Sequence, residues 1–221
     1  AVSPWQWVPS LYFAQGLPYV VVMSVAVILF KRMGMSNTDI ALYTSGLNLP
    51  WVIKPLWSPL VDLLKTKRWW VVTMQLLIGA GLAGVAFTIP TTFFFQASLA
   101  VFWLLAFSSA THDIAADGFY MLALDSHEQA FFVGIRSTFY RIAIIAGQGV
   151  LVMFAGFLEN NTGNIPLAWS ITFFILGGLF LGLFLYHRYI LPLPEGDKPS
   201  VTVTPSTIVK EFFATFVSFF K

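Results

Sequence analysis

The sequence contains no cysteine and few charged residues. Of its 221 residues, 10% are charged and 57% are hydrophobic, and the formal net charge is +2. Without cysteine, disulfides, thiol catalysis and cysteine-ligated metal sites are excluded. Charged residues make up about 25% of an ordinary soluble domain, so this composition excludes that class. The net charge is too small to indicate a nucleic-acid partner, and the abundance of apolar residues excludes a disordered chain.

Long uncharged stretches are the main feature that is present. Residues 69–111 carry no charge over 43 positions. As a helix they would extend about 65 Å, roughly twice the hydrocarbon core of a bilayer. The stretch must therefore fold back, and 90–92 (Pro-Thr-Thr) is the expected turn. The apolar segments also lack the period-2 alternation of barrel strands. We therefore predict an all-α, polytopic membrane protein with six transmembrane helices. The spans are expected at about 11–30, 39–62, 69–89, 93–125, 131–158 and 167–189.

The composition changes after the sixth predicted span. Residues 191–207 are rich in Pro, Thr and Ser and are interpreted as a cytoplasmic linker that follows a bundle at 1–190. Apolar residues at helical spacing in 208–221 indicate an amphipathic surface helix or the approach to a seventh span, cut off at Lys221. Seven basic residues lie in the loop between spans two and three or after span six, against two on the other side. The positive-inside rule therefore predicts that both ends are cytoplasmic.

Charged side chains inside the predicted spans are the strongest functional signal, because each is costly in lipid unless it is paired or hydrated. Asp113 and Asp117 are four residues apart, so they share one helix face. Two carboxylates this close repel each other, which favours uptake of a proton by the pair. Arg136 and Arg141 in the fifth span are available as counter-charges. These residues either lock helices together or handle ions and substrate directly.

His112 adjoins Asp113 but points about 100° away from it on a helix. It is therefore interpreted either as a second proton-binding group or as a hydrogen-bonding core residue. The spacing of His112, Asp113 and Asp117 matches no metal motif with a stated mechanism. We expect neither a metal ion nor another cofactor.

Polar and aromatic side chains recur on one face of the first span, where Tyr12, Gln15 and Tyr19 are spaced i, i+3, i+7. Stacking faces beside an amide suit a sugar or peptide ligand, and an interfacial aromatic belt is the alternative. Lys54 in the second span either lines a path for an anionic substrate or extends to an interface. The expected substrate-cavity residues are Tyr12, Gln15, Tyr19, Lys54, Tyr120 and Gln148.

Glycines in two spans predict close helix packing. Gly79, Gly81 and Gly84 form a literal GxGxxG, but no strand precedes it and no acidic residue follows about 20 positions later, so a nucleotide site is rejected. Small residues at these positions, and at Gly178 and Gly182 in the sixth span, let helices approach closely.

Four segments together carry a family resemblance: GLPY at 16–19, LPWVIKPLWSPLVD at 49–62, HDIAADGFY at 112–120 and FYRIA at 139–143. They resemble signature segments of the AmpG-like muropeptide permease family within the major facilitator superfamily. The related acetyl-CoA transporter family shares the DIAxDG core at 113–118. The family usually has Gln where this chain has His112.

The loop between spans two and three also resembles the superfamily. It is similar to the superfamily's gating motif at this position, although it lacks the usual glycine. Its charged residues are Asp62, Lys65, Lys67 and Arg68.

The resemblance implies the N-terminal half of a twelve-helix transporter that imports anhydro-muropeptides across the bacterial inner membrane, driven by protons. Asp113 and Asp117 would then be proton-coupling residues with Arg141 as their partner, and a missing C-terminal half would complete the cavity. An acetyl-CoA or other anionic-solute transporter, a membrane-embedded metalloenzyme and a structural membrane subunit are the alternatives.

Overall fold

The computed structural model describes residues 2–199 and 204–219, and within these ranges every regular element is helical. Among the described residues, five helices are long and apolar enough to cross a membrane. They are α1 Pro4–Arg32, α5 Lys67–Thr88, α6 Phe94–Ala123, α7 Ser126–Thr162 and α8 Ile165–Ile190. The shorter helices are α2 Asn37–Thr44, α3 Leu49–Ile53, α4 Ser58–Leu64 and α9 Pro205–Phe219. The prediction of an all-α, polytopic membrane protein is confirmed, and the exact count of six spans stays a prediction.

The segment expected as the second span is a series of short helices. Between Asn37 and Leu64, α2, α3 and α4 are separated by 3₁₀ turns at Ser45–Asn48 and Lys54–Leu56. Pro50, Pro55 and Pro59 each lie in the first turn of a short helical piece. A proline has no N–H to donate, and the first turn is where that loss costs least. The three prolines therefore determine where this segment breaks.

Helix α5 packs between α6 and α8, while α1 packs mainly against α7 and also contacts α6. A Cβ placed on Gly79 of α5 would lie 3.2 Å from the Cβ of Phe180 in α8, and one on Gly177 would lie 3.1 Å from the Gly79 carbonyl oxygen. The expectation of close packing at Gly79 is thus met. For Gly178 and Gly182 it was wrong, because nothing lies within 4 Å of a Cβ at either position. Helix α8 turns Gly177 toward α5 instead.

Two of the long helices contain wider π-helical turns, at Val21–Val25 in α1 and Ala146–Leu151 in α7. The first follows Pro18, whose ring cannot fit a regular helix interior. The two turns contact each other, and Gly147 leaves room for the side chain of Val20. Such turns are frequent near functional sites, and a hydrogen bond from Gln148 to Ser24 joins these two.

Side-chain caps define where three of the long helices begin. Thr66 Oγ1 accepts the N–H of Trp69, and Asn164 Oδ1 accepts the N–H of Leu167. Asp125 forms a capping box with Glu128 at the start of α7. Helix α9 lies in the segment expected to be amphipathic and begins slightly before residue 208. Phe220 and Lys221 of that expected segment lie outside the described residues. The division into bundle, linker and final helix stays a prediction.

Candidate functional site

A cleft of about 340 Å³ lies along α1, α6 and α7. Helices α1 and α7 approach closely beside the cleft, since a Cβ on Gly16 would lie only 2.7 Å from the carbonyl oxygen of Tyr140, a lining residue. All the side chains that line the cleft are polar or charged: Tyr12, Gln15, Asp117, Arg136, Ser137, Tyr140 and Arg141. The cleft therefore offers hydrogen-bonding groups and charges within a largely apolar bundle.

Asp117 is held in the cleft by a phenol and a guanidinium. The Tyr12 hydroxyl donates to Asp117 Oδ1 at 3.0 Å, and Arg136 Nη1 donates to the same hydroxyl oxygen at 3.1 Å. Arg136 Nη1 also lies 3.5 Å from Asp117 Oδ1. The Asp117 side chain remains 46% exposed, so the ion pair stays accessible from the cleft.

Two aromatic rings position Arg136. Its guanidinium lies 5.3 Å from the ring centre of Tyr12 and 4.9 Å from that of Tyr120, distances typical of cation–π contacts. Tyr120 is buried, and its hydroxyl donates to the carbonyl of Gln129 at 2.6 Å. Tyr120 therefore supports Arg136 from behind, and it is not among the residues lining the cleft.

Asp113 lies one turn before Asp117 on α6 and has a different cationic partner. Lys54 Nζ lies 3.7 Å from Asp113 Oδ2. Asp113 Oδ1 and Gln15 Oε1 are buried without a hydrogen-bond partner among the described residues. The two carboxylates are thus divided between two cations. Asp113 is buried and is not among the residues that line the cleft, whereas Gln15 is.

Arg141 lines the same cleft but forms no ion pair within the described residues. The expectation that Arg141 is the partner of the two aspartates is therefore wrong for the structure, which pairs Asp117 with Arg136 and Asp113 with Lys54. Arg141 leaves a guanidinium available at the cleft.

Four of the six expected cavity residues do not line the cleft: Lys54, Tyr120, Tyr19 and Gln148. Tyr19 contacts Trp51 edge-on, with ring centres 5.0 Å apart, and Gln148 Nε2 donates to Ser24 Oγ at 3.2 Å. Sequence reasoning missed Ser137 and Tyr140 as lining residues. Ser137 lies four residues before Arg141, and Tyr140 lies four residues after Arg136. Residues at this spacing share a helix face, which is the signal in the sequence that points to them.

His112 belongs to a separate, buried chain of polar side chains. Gln75 Nε2 lies 3.0 Å from His112 Nε2, and Gln75 Oε1 lies 2.9 Å from His187 Nδ1. Ser10 Oγ lies 2.9 Å from His187 Nε2. His112 thus points away from Asp113. In the described ranges, no three His, Cys, Asp or Glu residues come together as possible metal ligands.

The expected gating loop is held by contacts at the start of α5. Lys67 forms an ion pair with Asp62, and Lys65 Nζ lies 5.8 Å above the Trp69 ring. A Cβ on Gly118 would lie 2.8 Å from Lys67 Cε. The glycine of the DIAADG segment therefore leaves room for the Lys67 side chain.

The segment after α8 is attached to the same helix end. Arg68 Nε donates to the carbonyl of Leu191 at 3.2 Å. Asp197 accepts the backbone N–H groups of Lys67 and Arg68 at 2.6 and 3.0 Å. These contacts join the end of α8 to the start of α5.

Comparison with known proteins gives a family and several distant relatives. Residues 14–210 match the model of the BT1 family. An uncharacterized protein of Haemophilus influenzae is 28% identical over 193 residues, covering 85% of this chain and 44% of the relative. The anhydromuropeptide permease of Escherichia coli K12 is 26% identical over 218 residues, covering 95% of this chain and 41% of the permease. An uncharacterized protein of Schizosaccharomyces pombe is 26% identical over 182 residues, covering 74% of this chain and 35% of the relative.

The chain spans less than half the length of these curated relatives. The family match covers most of the chain, including α5 to α8 and the four segments on which the resemblance depends. The family resemblance carried by those segments is thereby confirmed, and the chain belongs to the BT1 family.

Proposed function

We propose that this chain is the N-terminal half of a proton-coupled transporter that imports anhydro-muropeptide-like cell-wall fragments across the bacterial inner membrane, with both ends cytoplasmic. The observation that carries the proposal is the accessible ion pair between Asp117 and Arg136, bridged by the hydroxyl of Tyr12. Family membership and the name of the E. coli relative support transport and the substrate class.

Proton coupling follows from the pairing of Asp117. A proton taken up by its carboxylate would cancel the charge that holds Arg136, and the guanidinium could then contact a substrate anion. Breaking a paired charge in this way is a common means of switching between states in membrane transporters. Asp113 and Lys54 form a second, more buried pair on the adjoining turn.

The side chains of the cleft suit a sugar bearing a short peptide. The rings of Tyr12 and Tyr140 provide stacking faces, and Gln15 provides an amide. Arg141 is free to bind a carboxylate of the peptide in bidentate geometry. A second half of the transporter would supply the opposite wall, near the middle of the bilayer.

Uptake by the complete transporter that contains this chain tests the coupling role. Asp117→Asn is expected to abolish uptake driven by a pH gradient while the protein is still expressed, because the amide cannot exchange a proton. Asp125→Asn is the matched control, since Asn also caps a helix. Normal pH-driven uptake by the Asp117→Asn protein would contradict proton coupling at this residue.

Direct binding tests the substrate class independently of coupling. Titration of the purified complete transporter with anhydro-muropeptide, and separately with acetyl-CoA, should show saturable binding of the muropeptide only. Arg141→Gln should weaken that binding. Saturable binding of acetyl-CoA alone would reverse the assignment in favour of the related anionic-solute function.

A further inference from the structure

A second cavity, of about 470 Å³, lies between the start of α5, the end of α8 and the segment that follows α8. It is separate from the cleft and shares no lining residue with it. One edge is basic and the facing wall is apolar. The residues that matter are Arg68 and Arg188 on the basic edge and Trp69, Leu76, Phe184 and Leu193 on the apolar wall.

The two arginines of the basic edge are adjacent, since both line the cavity and the Arg68 guanidinium donates to the backbone carbonyl of Arg188. Arg68 uses part of its guanidinium to donate to the carbonyls of Leu191 and Arg188. The guanidinium of Arg188 has no hydrogen bond or ion pair within residues 2–199 and 204–219. Two cations that line one cavity favour an anion that contacts both.

The carboxylate at this edge, that of Asp197, does not neutralise both cations. Its two oxygens accept the N–H groups of Lys67 and Arg68 at 2.6 and 3.0 Å, so it caps the start of α5. With one carboxylate beside two guanidinium groups, the edge keeps an excess positive charge.

The apolar wall includes exposed side chains both on α5 and in the segment that follows α8. Leu76 of α5 is 42% exposed and Leu193 of the segment is 80% exposed. A small soluble anion would use the arginines but would leave these side chains uncovered. A molecule with an anionic head and a hydrocarbon tail would contact both parts of the cavity.

We propose that this cavity binds an anionic phospholipid, with the headgroup phosphate on Arg188 and Arg68 and an acyl chain along Leu76 and Phe184. Arginine binds phosphate through paired hydrogen bonds, and basic pockets at the ends of membrane helices are suited to anionic headgroups. The lipid would bridge α5 and α8 at the point where the segment after α8 is also attached. This site does not depend on the proposed transport function.

Lipid titration of the purified 221-residue chain in neutral detergent, followed by native mass spectrometry, tests the site. Phosphatidylglycerol is expected to bind in a saturable way and phosphatidylcholine only weakly. Arg188→Gln should raise the Kd for phosphatidylglycerol about tenfold or more, since a charge-assisted arginine–phosphate contact is lost. Lys198→Gln removes one exposed positive charge nearby but outside the cavity, and its Kd should match the parent chain.

A second variant tests the tail of the lipid. Leu76→Gln places a neutral amide in the proposed path of the acyl chain at a partly exposed position and should weaken phosphatidylglycerol binding without changing the thermal midpoint. The proposal is overturned if Arg188→Gln binds like the parent chain, or if Lys198→Gln weakens binding equally. It is also overturned if glycerol phosphate displaces the lipid at similar concentration, which would indicate a site for a soluble phosphate.

Discussion

His112 and Asp113 are consecutive residues of α6, yet their side chains enter two very different polar assemblies. His112 joins a buried neutral chain that consists of Ser10, His187, Gln75 and His112 itself. Asp113 faces the side of α6 where the charged cleft lies, one turn before Asp117. Although the two residues are adjacent in the sequence, different faces of α6 direct them into a neutral assembly and a charged one.

The neutral chain is buried except at Ser10, which is partly exposed. Gln75 and His187 are fully buried, and His112 is 1% exposed. One direction of donation satisfies the inner links: His187 Nδ1–H donates to Gln75 Oε1, and the Gln75 amide donates to His112 Nε2. The Ser10 hydroxyl is within reach of both His187 Nε2 and the Trp7 carbonyl, and donation to His187 completes the series. Each imidazole then needs only one proton. Because α1, α5, α6 and α8 each contribute one residue, the hydrogen bonds of the neutral chain fix the relative positions of these four helices.

The charged cleft has the opposite character. Its ion pair is accessible, and Asp113 Oδ1 and Gln15 Oε1 have no partner among the described residues. Arg141 is not paired with a carboxylate there. Unused donors and acceptors are costly in a membrane protein unless something else satisfies them. We infer that the neutral chain maintains the fold, while the cleft keeps hydrogen-bonding groups for a ligand.

The largest effect is expected from Gln75→Leu, which breaks the neutral chain at its centre. Two buried imidazoles would lose a hydrogen-bond partner, and the free energy of unfolding should fall by roughly 2–3 kcal/mol. Gln96→Leu is the control, because the exposed Gln96 side chain forms no hydrogen bond within the described residues. Thermal unfolding in detergent measures both variants. Equal destabilisation by the two substitutions would contradict the structural role of the neutral chain.

Gly16→Ala is expected to disturb the contact between α1 and α7 beside the cleft. The added Cβ would lie 2.7 Å from the backbone oxygen of Tyr140, and backbone atoms cannot rotate away as a side chain can. We expect a loss of about 1–2 kcal/mol and displacement of α7 from α1. Gly156→Ala, also in a long helix, is the control because nothing lies within 4 Å of its added Cβ. A Gly16→Ala protein with the parent's unfolding midpoint would show that the helices are not in close contact here.

Much of the charged cleft was predictable from local spacing. Asp113 and Asp117 are four residues apart, and Tyr12 and Gln15 are three apart, so a helix places each pair on one face. Whether Arg136 or Arg141 meets Asp117 depends on the rotation and register of α7 against α6. Those are set by long-range packing, such as the contact of Gly16 with the Tyr140 carbonyl, and five residues of separation on one helix do not reveal them.

The neutral chain was harder to predict because its members are far apart in sequence. His112 was recognised as polar, but Gln75 stands alone in an apolar span and His187 lies in the last turn of another, beside Arg188. Their meeting requires α5 to lie between α6 and α8. Isolated polar residues in such spans were the available signal. The segment at 49–62 is a further case. Its three prolines are evident in the sequence, but one continuous span was predicted there and the structure has short helices.

Ser10→Ala sharpens the comparison at the outer end of the neutral chain. Loss of the hydroxyl leaves His187 Nε2 without its partner and should cost about 1 kcal/mol. Ser109→Ala is the control, because the buried Ser109 hydroxyl has no hydrogen-bond partner in the described part of the chain. Its removal should leave stability unchanged or slightly increased. The difference between the two unfolding midpoints is the quantity to measure, and a difference of zero would remove Ser10 from the chain.

The smallest stability effect is expected from the two arginines of the cleft, and it identifies the partner of Asp117. Arg136→Gln removes an ion pair and two cation–π contacts at a partly exposed site, so a loss of about 0.5 kcal/mol is expected. Arg141→Gln removes no ion pair within the described residues and should leave the unfolding midpoint unchanged. A double-mutant cycle with Asp117→Asn distinguishes the two positions, because only residues that interact give a coupling energy. Coupling of Asp117 to Arg141 and not to Arg136 would mean that the charges of the cleft are arranged as the sequence first suggested.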